Sequence, residues 1–416
     1  MLIEFKVENF RSFKSAQTLS MVAGSATEQR KTNTVEVPGI GRILRSAVVY
    51  GPNAAGKTNL LRAMQVMREF VIRSAGTTQG TPPPYTPYRL SKASSRAPSE
   101  FQITFTQNNV RYNYGFAIDA TRVTKEWLVE YASQKGRMLF ERIYDEGEQK
   151  YEWRLSRVLT GTRSVWTQST RQEELFLSKL VHLNNMQLLH VFHWFQKRLI
   201  VIAAPQSLNN NLTLKLLDTP EGKTKLLPFL RAADLDIDGV EKQSEPPTAS
   251  GRILLGAQFL EQREPNTIPN PVKILFSHKS DEDEDVSFDF SDESNGTQRL
   301  FLSAGAWLNV FANGEVLLFD EIDTSLHPKL ARFLVGQFHS NKTNQSNAQL
   351  ICTTHDTSLL DREVFRRDQF WFVEKQKRSG SSLYPLTDFH PRNDEDIERW
   401  YMRGRYGAVP VLTNVG

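Results

Sequence analysis

The chain has 416 residues, a formal net charge of only +4, 39% apolar residues and 24% charged residues. That is the composition of a soluble globular protein too long for one small core, suited to one large domain with an insertion or to two domains. Charge this near balance neither demands nor excludes nucleic acid, no run of about 18 apolar residues offers a membrane span, and the single cysteine, Cys352 in QLICTTH, reads as a small buried hydrophobe in a cytoplasmic protein without internal disulfides.

In chain order, MLIEFKVENF alternates like a strand over residues 2–9 and lacks the basic-then-apolar pattern of a signal peptide. ILRSAVVY, residues 43–50, has the pattern of a buried central strand. GPNAAGKT follows, then a helical run from Asn59 to about Arg73. Residues 76–99, rich in Pro, Thr and Ser, predict a loop, and FQITF, YNYGFAI and EWLVEYA predict a meander between about 100 and 158. Residues 171–198 are helical in character, and Phe176, Phe192, Trp194 and Phe195 read as helix-on-helix core rather than a base-stacking platform. RLIVIAA predicts a strand and 221–234 a helix, with Asn209, Asn210 and Asn211 in a polar connector and KQSEPPTAS, 242–250, in a disordered link. The acidic run Asp281 to Asp285 lacks the central Gly and distal Glu of a calcium loop, so it predicts a solvated hairpin turn between KILFSH and VSFDF. From 296 onward GTQRLFLSAGAWLNVFA, EVLLFDE, HPKLARFLVGQFH and AQLICTTH alternate helix and strand, which argues a parallel sheet with covering helices.

The chemistry lies at the two ends of the chain. Gly51-Pro52-Asn53-Ala54-Ala55-Gly56-Lys57-Thr58 fits G-x4-G-K-[ST], with an apolar strand before it and a helix after, opening at Asn59. Glycines let the backbone curl so that successive N–H groups face phosphate oxygens, and the helix N-terminus adds partial positive charge. Lys57 suits the β- and γ-phosphates of ATP, and the Thr58 hydroxyl suits Mg²⁺. In VLLFDEID an apolar strand ends in two carboxylates: Asp320 to hold Mg²⁺, and Glu321 to polarise the attacking water as general base. CTTHD ends the next apolar strand and brings His355 beside those carboxylates. Upstream, ESNGTQ precedes a helix, where Ser294 and Gly296 form a second anion site or, more plainly, Ser294 or Asn295 caps the helix.

These elements together resemble the ABC-type ATPase heads of the SMC/RecF group, and VENFRSFKSAQTLSM looks like that group's N-terminal strands. More narrowly, YGPNAAGKTN, SDESNGTQRLF, DEIDTSLHP, TTHDTSLLD and RGRYGAVP resemble compact bacterial AAA-type ATPases linked to abortive infection and phage defence. The likeness covers about residues 1–75 and 270–410. It implies an α/β fold: an ABC-type ATPase head with a mixed central sheet flanked by helices, plus an inserted β-meander and helical region. Residues 1–75 and 270–416 would form the discontinuous core, 100–160 the β-rich part of the head, and 160–270 a helical insertion offering a sensor or partner surface. Tyr112, Tyr114, Trp127 and Trp194 in that middle region are candidate anchors, with core packing the more ordinary reading of any one of them.

The resemblance further implies that ATP is sandwiched between two heads of a dimer or higher oligomer. One copy supplies Gly51 to Asn59, Asp320, Glu321 and His355; the other supplies Ser294, Gly296, Thr297 and Gln298 in trans. Here the Leu-Ser-Gly-Gly-Gln pattern is altered, Asn295 standing where the first Gly falls, and Gln102 is the candidate for the glutamine that contacts Mg²⁺. A transporter subunit would lack the long middle insertion, and residues 160–270 are too short and too interrupted by Pro for an SMC coiled coil. Asp394, Glu395 and Asp396 read as a helix first turn rather than a nuclease centre. A defence ATPase acting as sensor or scaffold with a separately encoded effector is therefore expected, with no nuclease domain in this chain. A RecF/SMC-like ATPase engaging DNA in repair or chromosome maintenance is the alternative.

Overall fold

The computed structural model describes residues 1–133, 135–202, 211–233, 236–244, 254–255, 258–259, 272–376, 379–392 and 394–410. Strands β1 (Leu2–Glu8) and β2 (Gln17–Ser20), helix α1 (Arg30–Asn33) and strands β3 (Thr34–Val37), β4 (Gly41–Leu44) and β5 (Ser46–Tyr50) lead into α2 (Lys57–Arg73). Five longer strands follow: β6 (Ser99–Gln107), β7 (Val110–Ile118), β8 (Val123–Tyr131), β9 (Arg137–Asp145) and β10 (Lys150–Leu155). Next come α3 (Arg163–Ser169), α4 (Phe176–His182), α5 (Leu189–His193), β11 (Leu199–Ile202), α6 (Asn211–Leu217), α7 (Pro220–Ala232), β12 (Gly239–Ser244), β13 (Leu254–Leu255), β14 (Gln258–Phe259), β15 (Val272–Lys279) and β16 (Asp285–Asp289). The chain then alternates through α8 (Asn295–Asn313), β17 (Val316–Phe319), α9 (Pro328–His339) and β18 (Gln349–Thr353), and closes with β19 (Phe370–Gln376), β20 (Gly380–Pro385) and α10 (Ile397–Met402). Two compact units result. One comprises Met1–Ala203, Asn313–Ile322 and Val335–Gly416; the other comprises Ala204–Ala312 and Asp323–Leu334.

Two large sheets and the β3–β4 hairpin build the first unit. A seven-stranded antiparallel sheet runs β10-β9-β8-β7-β6-β1-β2, and a six-stranded sheet runs β11-β17-β18-β5-β19-β20. In the second sheet all pairs are parallel except β19–β20. It is the mixed central sheet expected of this α/β class, and the five strands from β6 to β10 are the expected meander. Gln349 ties the sheets together: its amide accepts from Leu2 N at 2.6 Å and donates to the Leu2 and Leu44 carbonyls, both at 3.0 Å. The buried face of α2 carries Leu60, Leu61, Met64, Met67 and Val71 at helical spacing, and its Phe70 meets Phe116 of β7 edge-on at 5.5 Å.

The structure corrects several expectations. Residues 43–50 are not one strand, because the ladder breaks at Arg45. That residue's N–H bonds to Asn33 O, its carbonyl accepts from Leu350 N, and its guanidinium reaches Asn341. The aromatic segment near 194 packs on the antiparallel sheet as well as beside α2: Trp194 stacks on Phe105 of β6 at 4.2 Å, Phe195 meets Tyr114 of β7 at 5.5 Å, and Arg68 of α2 reaches Gln196 O. Tyr112, Tyr114, Trp127 and Trp194 are all buried, which gives each its more ordinary reading as core and sets aside the anchor alternative. Within 160–270 the strand read from RLIVIAA is present as β11, an edge strand of the six-stranded sheet. Asn209, Asn210 and residues 245–250 of the expected link lie outside the described residues, whereas Asn211 opens α6 and β12 takes in the start of that link.

A buried ion network pins the meander to α4. Arg142 and Glu126 are both 0% exposed and paired at 3.0 Å. Glu126 also accepts from Tyr114 Oη at 2.9 Å, Phe176 N at 2.7 Å and Leu177 N at 3.0 Å. Arg142→Met would leave that carboxylate buried without its countercharge. It should lower the unfolding free energy by about 3–5 kcal/mol, read as a fall in the denaturant midpoint. An unchanged midpoint would show that the network is not what holds α4 to the sheet.

In the second unit β12, β15 and β16 form an antiparallel sheet, with the acidic run in the β15–β16 turn as expected. Phe276 and Phe290 pack on Phe301 of α8. Helix α6 approaches the same helix so closely that a Cβ on Gly305 would lie 2.3 Å from Thr213 N.

Candidate functional site

The phosphate-loop motif lies where the fully buried β5 hands over to α2. Gly51 has φ 153° and Gly56 φ 121°, and neither has room for a side chain. A Cβ on Gly51 would sit 2.2 Å from Val373 O; one on Gly56 would sit 2.7 Å from Ser12 Oγ and 2.8 Å from Ser381 Oγ. Ala54 completes the curl with φ 61°. Lys57 is buried, with Nζ donating to Gly51 O at 2.8 Å and Pro52 O at 3.3 Å, so its ammonium is folded over the loop. No side chain caps the start of α2, which leaves its first-turn amides to the loop's interior. Pro52 is half-buried and Asn53 exposed, while Ala55 is buried, its carbonyl accepting from Ser381 Oγ. Asn59 points back, donating to Ser12 Oγ at 2.9 Å.

The acidic motif reaches the same place by strand register. β17 and β18 run parallel with Phe319 opposite Cys352, so Asp320 falls beside Thr353. Thr353 Oγ1 donates to Asp320 Oδ1 at 2.6 Å and accepts from Glu321 N at 2.8 Å. The Thr58 side chain lies near enough to the Asp320 carboxylate to favour its charged form, so the two expected Mg²⁺ residues are brought together. Burial pushes the Asp320 carboxyl above the ordinary carboxylate range; the Thr353 and Thr58 hydroxyls oppose that, Glu321 adds to it, and Lys57 opposes it. Glu321, half-buried, has φ 51°, a left-handed conformation rare outside glycine. His355 is exposed two residues past β18, at the end of the sheet where Asp320 and Glu321 leave β17. A hydroxyl and a carboxylate are the hard oxygen donors Mg²⁺ takes alongside nucleotide phosphates, and the glycine loop is a cradle any Cβ would fill. The residues present fit both ATP and its metal.

Ser294, Gly296, Thr297 and Gln298 gather at the start of α8 in the second unit. Ser294 caps the helix, its Oγ accepting from Thr297 N at 3.1 Å and lying 2.8 Å from Thr297 Oγ1. Gln298 Nε2 turns back to Glu293 O at 2.8 Å. A Cβ on Gly296 would come 2.8 Å from Ser325 O. Arg299 reaches Thr324 O at 2.6 Å, so the residues after the acidic strand pack beside this helix start. Between them a cavity of about 750 Å³ is lined by Ser294, Gly296, Thr297, Ser325, His327 and Lys329.

Gln102 lies within β6, opposite Lys6 and Gly115, rather than after a strand. Asp396 caps α10, accepting from Arg399 N at 3.0 Å, and Glu395 is buried against Arg405 and Tyr406. Three residues beside the nucleotide motifs went unread in the sequence: Ser12, Ser381 and Thr353. Ser12 stands in the NFRSF run and Ser381 in the polar run SGSS that opens β20, and neither pattern reports that it will brace a loop from elsewhere in the chain. Thr353 adjoins the expected His355, and only the strand register exposes its part.

A mainly parallel sheet, a glycine cradle at one strand end and an acidic pair at the next are the features of a P-loop nucleotide-binding domain of the AAA ATPase class. The chain belongs to the family described as "AAA domain, putative AbiEii toxin, Type IV TA system", whose model matches residues 46–361. No curated protein matches the chain. Among solved structures it is similar to that titled "Crystal structure of the Smc head domain with an extended coiled coil bound to the C-terminal domain of ScpA derived from Pyrococcus furiosus". The identity is 10%, with 94% of this chain and 97% of that chain covered and a TM-score of 0.42, a likeness too slight to weigh. Among the described residues no helix is long and apolar enough to cross a membrane.

Proposed function

We propose that this chain binds and hydrolyses ATP with Mg²⁺ and uses the cycle as a nucleotide-driven sensor or scaffold in bacterial anti-phage defence, acting through a separately encoded effector protein in the cytoplasm. The observation that carries the ATPase reading is the meeting of Thr58, Lys57, Asp320 and Glu321 at adjoining strand ends, around a loop whose glycines exclude side chains. The defence reading is supported by the abortive-infection name of the family.

Backbone N–H groups of Gly51 to Thr58 and the Lys57 ammonium would bind the phosphates, with Asn59 holding the loop through Ser12. Thr58 and Asp320 would hold Mg²⁺, which when bound offsets charge on the β- and γ-phosphates. Glu321 would take a proton from water as its oxygen bonds to the γ-phosphorus and the bond to the β,γ-bridging oxygen breaks, giving ADP and phosphate. His355 would bind the γ-phosphate edge. Ser294, Gly296, Thr297 and Gln298 of a second copy would close the site in trans. We read residues 1–75 and 270–416 as the catalytic core, 100–160 as its β-rich part, and exposed parts of 160–270 as the surface that meets a trigger or the effector.

This division of labour has a direct test. The purified chain, given ATP with Mg²⁺ or Mn²⁺, should turn over ATP while leaving DNA and RNA uncut. Absence of turnover would refute the ATPase reading. Nucleic-acid cleavage that survives Lys57→Ala but is lost with an acidic residue of 100–290 would refute the separate effector.

A further inference from the structure

Thr353 stands where the acidic strand end could most easily lose its shape. Its single hydroxyl makes two bonds of opposite sense. It accepts the Glu321 N–H at 2.8 Å, so its own proton is given to Asp320 Oδ1 at 2.6 Å. Its carbonyl takes the Ile322 N–H at 3.0 Å. Three consecutive residues of the acidic turn are thereby fastened to one residue of the neighbouring strand. The fastening matters because Glu321 occupies the left-handed region at φ 51°, which surroundings must hold in a non-glycine residue. Thr353 is fully buried, so water has no ready way to replace its hydroxyl. A valine would keep the shape yet strand the Glu321 N–H and remove the donor that orients Asp320.

We propose that Thr353 is a positioning residue of the Mg²⁺–ATP site, its hydroxyl orienting the Asp320 carboxylate for the metal and holding Glu321 in the turn that presents the general base. The inference rests on the reading of this site as one for Mg²⁺–ATP. It makes Thr353, outside both nucleotide motifs, the link between metal binding and catalysis.

The test is equilibrium binding of a fluorescent ATP analogue titrated with Mg²⁺, followed by steady-state turnover, on the full chain. For Thr353→Val, affinity without Mg²⁺ should stay within about twofold of wild type, because the phosphate loop is untouched, while the Mg²⁺ midpoint rises about tenfold or more. In turnover kcat should fall about 10- to 100-fold with KM for ATP nearly constant, and Thr353→Ser should restore both readouts. A Val variant with the wild-type Mg²⁺ midpoint and kcat overturns the proposal, and so does a Ser variant as impaired as Val. If Val proves insoluble, Thr353→Ala, which leaves space rather than filling it, carries the same expectations. A wild-type chain that binds no nucleotide, or binds it equally well after Lys57→Ala, would instead sink the functional reading and this proposal with it.

Discussion

Glu321→Gln should bind ATP as tightly as the wild type and hydrolyse it about 10²- to 10⁴-fold more slowly, the usual cost of removing one general base. The amide keeps the size of the carboxylate and cannot take the proton. Because Glu321 is held through its backbone, by its N–H on Thr353 and its neighbour Ile322 on the Thr353 carbonyl, the turn itself should survive the change. The variant should therefore accumulate in the ATP-bound state, visible as retained nucleotide on gel filtration. Lys57→Ala is the contrasting case. Its ammonium, now held by the Gly51 and Pro52 carbonyls, is the cation placed to meet the β- and γ-phosphates, so its loss should abolish binding and hydrolysis together. Wild-type turnover by Glu321→Gln would remove Glu321 from the role of base. Tight ATP binding by Lys57→Ala would move the nucleotide elsewhere.

How much of this was legible in the sequence follows from how local each feature is. The phosphate loop, the acidic strand end and the His355 strand end are written in short runs whose residue types the chemistry requires, and all three fall where they were read. The β15–β16 hairpin was equally local, its acidic turn sitting between two alternating strands. What stayed hidden was partnership across long separations. Nothing in MLIEFKVENF tells that Leu2 will face Phe105, or that its N–H will be met by Gln349. Nothing in RLIVIAA tells that its strand will lie parallel to β17 at a sheet edge. The aromatics left two readings open for a related reason. Tyr112, Tyr114 and Trp127 sit on strands in a way that suits either a surface or a core, and only the tertiary packing, with Phe195 against Tyr114 and Gly115 leaving room for the Trp127 ring, decides for the core. In ILRSAVVY the apolar run concealed a break, because Arg45 carries a side chain that bonds Asn341 and Asn347 from a distant part of the chain.

Gly296→Asp should leave nucleotide binding by the separate copy nearly intact and reduce hydrolysis about 10²-fold, the order of loss seen when a preorganised transition-state contact is removed. The phosphate-loop residues belong to the first unit and Gly296 to the second. At Gly296 itself two effects combine. Any Cβ there lies 2.8 Å from Ser325 O and must displace local backbone, and aspartate adds negative charge to the face proposed to meet the γ-phosphate of a neighbouring copy. Gly296→Ala separates them: it keeps the crowding and omits the charge, so its loss should be smaller. The decisive arm is a mixture. Gly296→Asp retains an intact phosphate loop, and Lys57→Ala retains an intact Ser294–Gln298 segment. Alone, Gly296→Asp should keep about a hundredth of wild-type turnover and Lys57→Ala none, yet a mixed pair contains one interface built from both sound halves. An equal mixture should recover about a quarter of wild-type turnover, since half of random pairs are mixed and each carries a single working site. Recovery should track the fraction of mixed oligomers, measured with two distinguishable affinity tags. If tagged mixed oligomers form and turnover stays at the level of the separate variants, the copies do not complete one another, and the nucleotide is hydrolysed within a single chain.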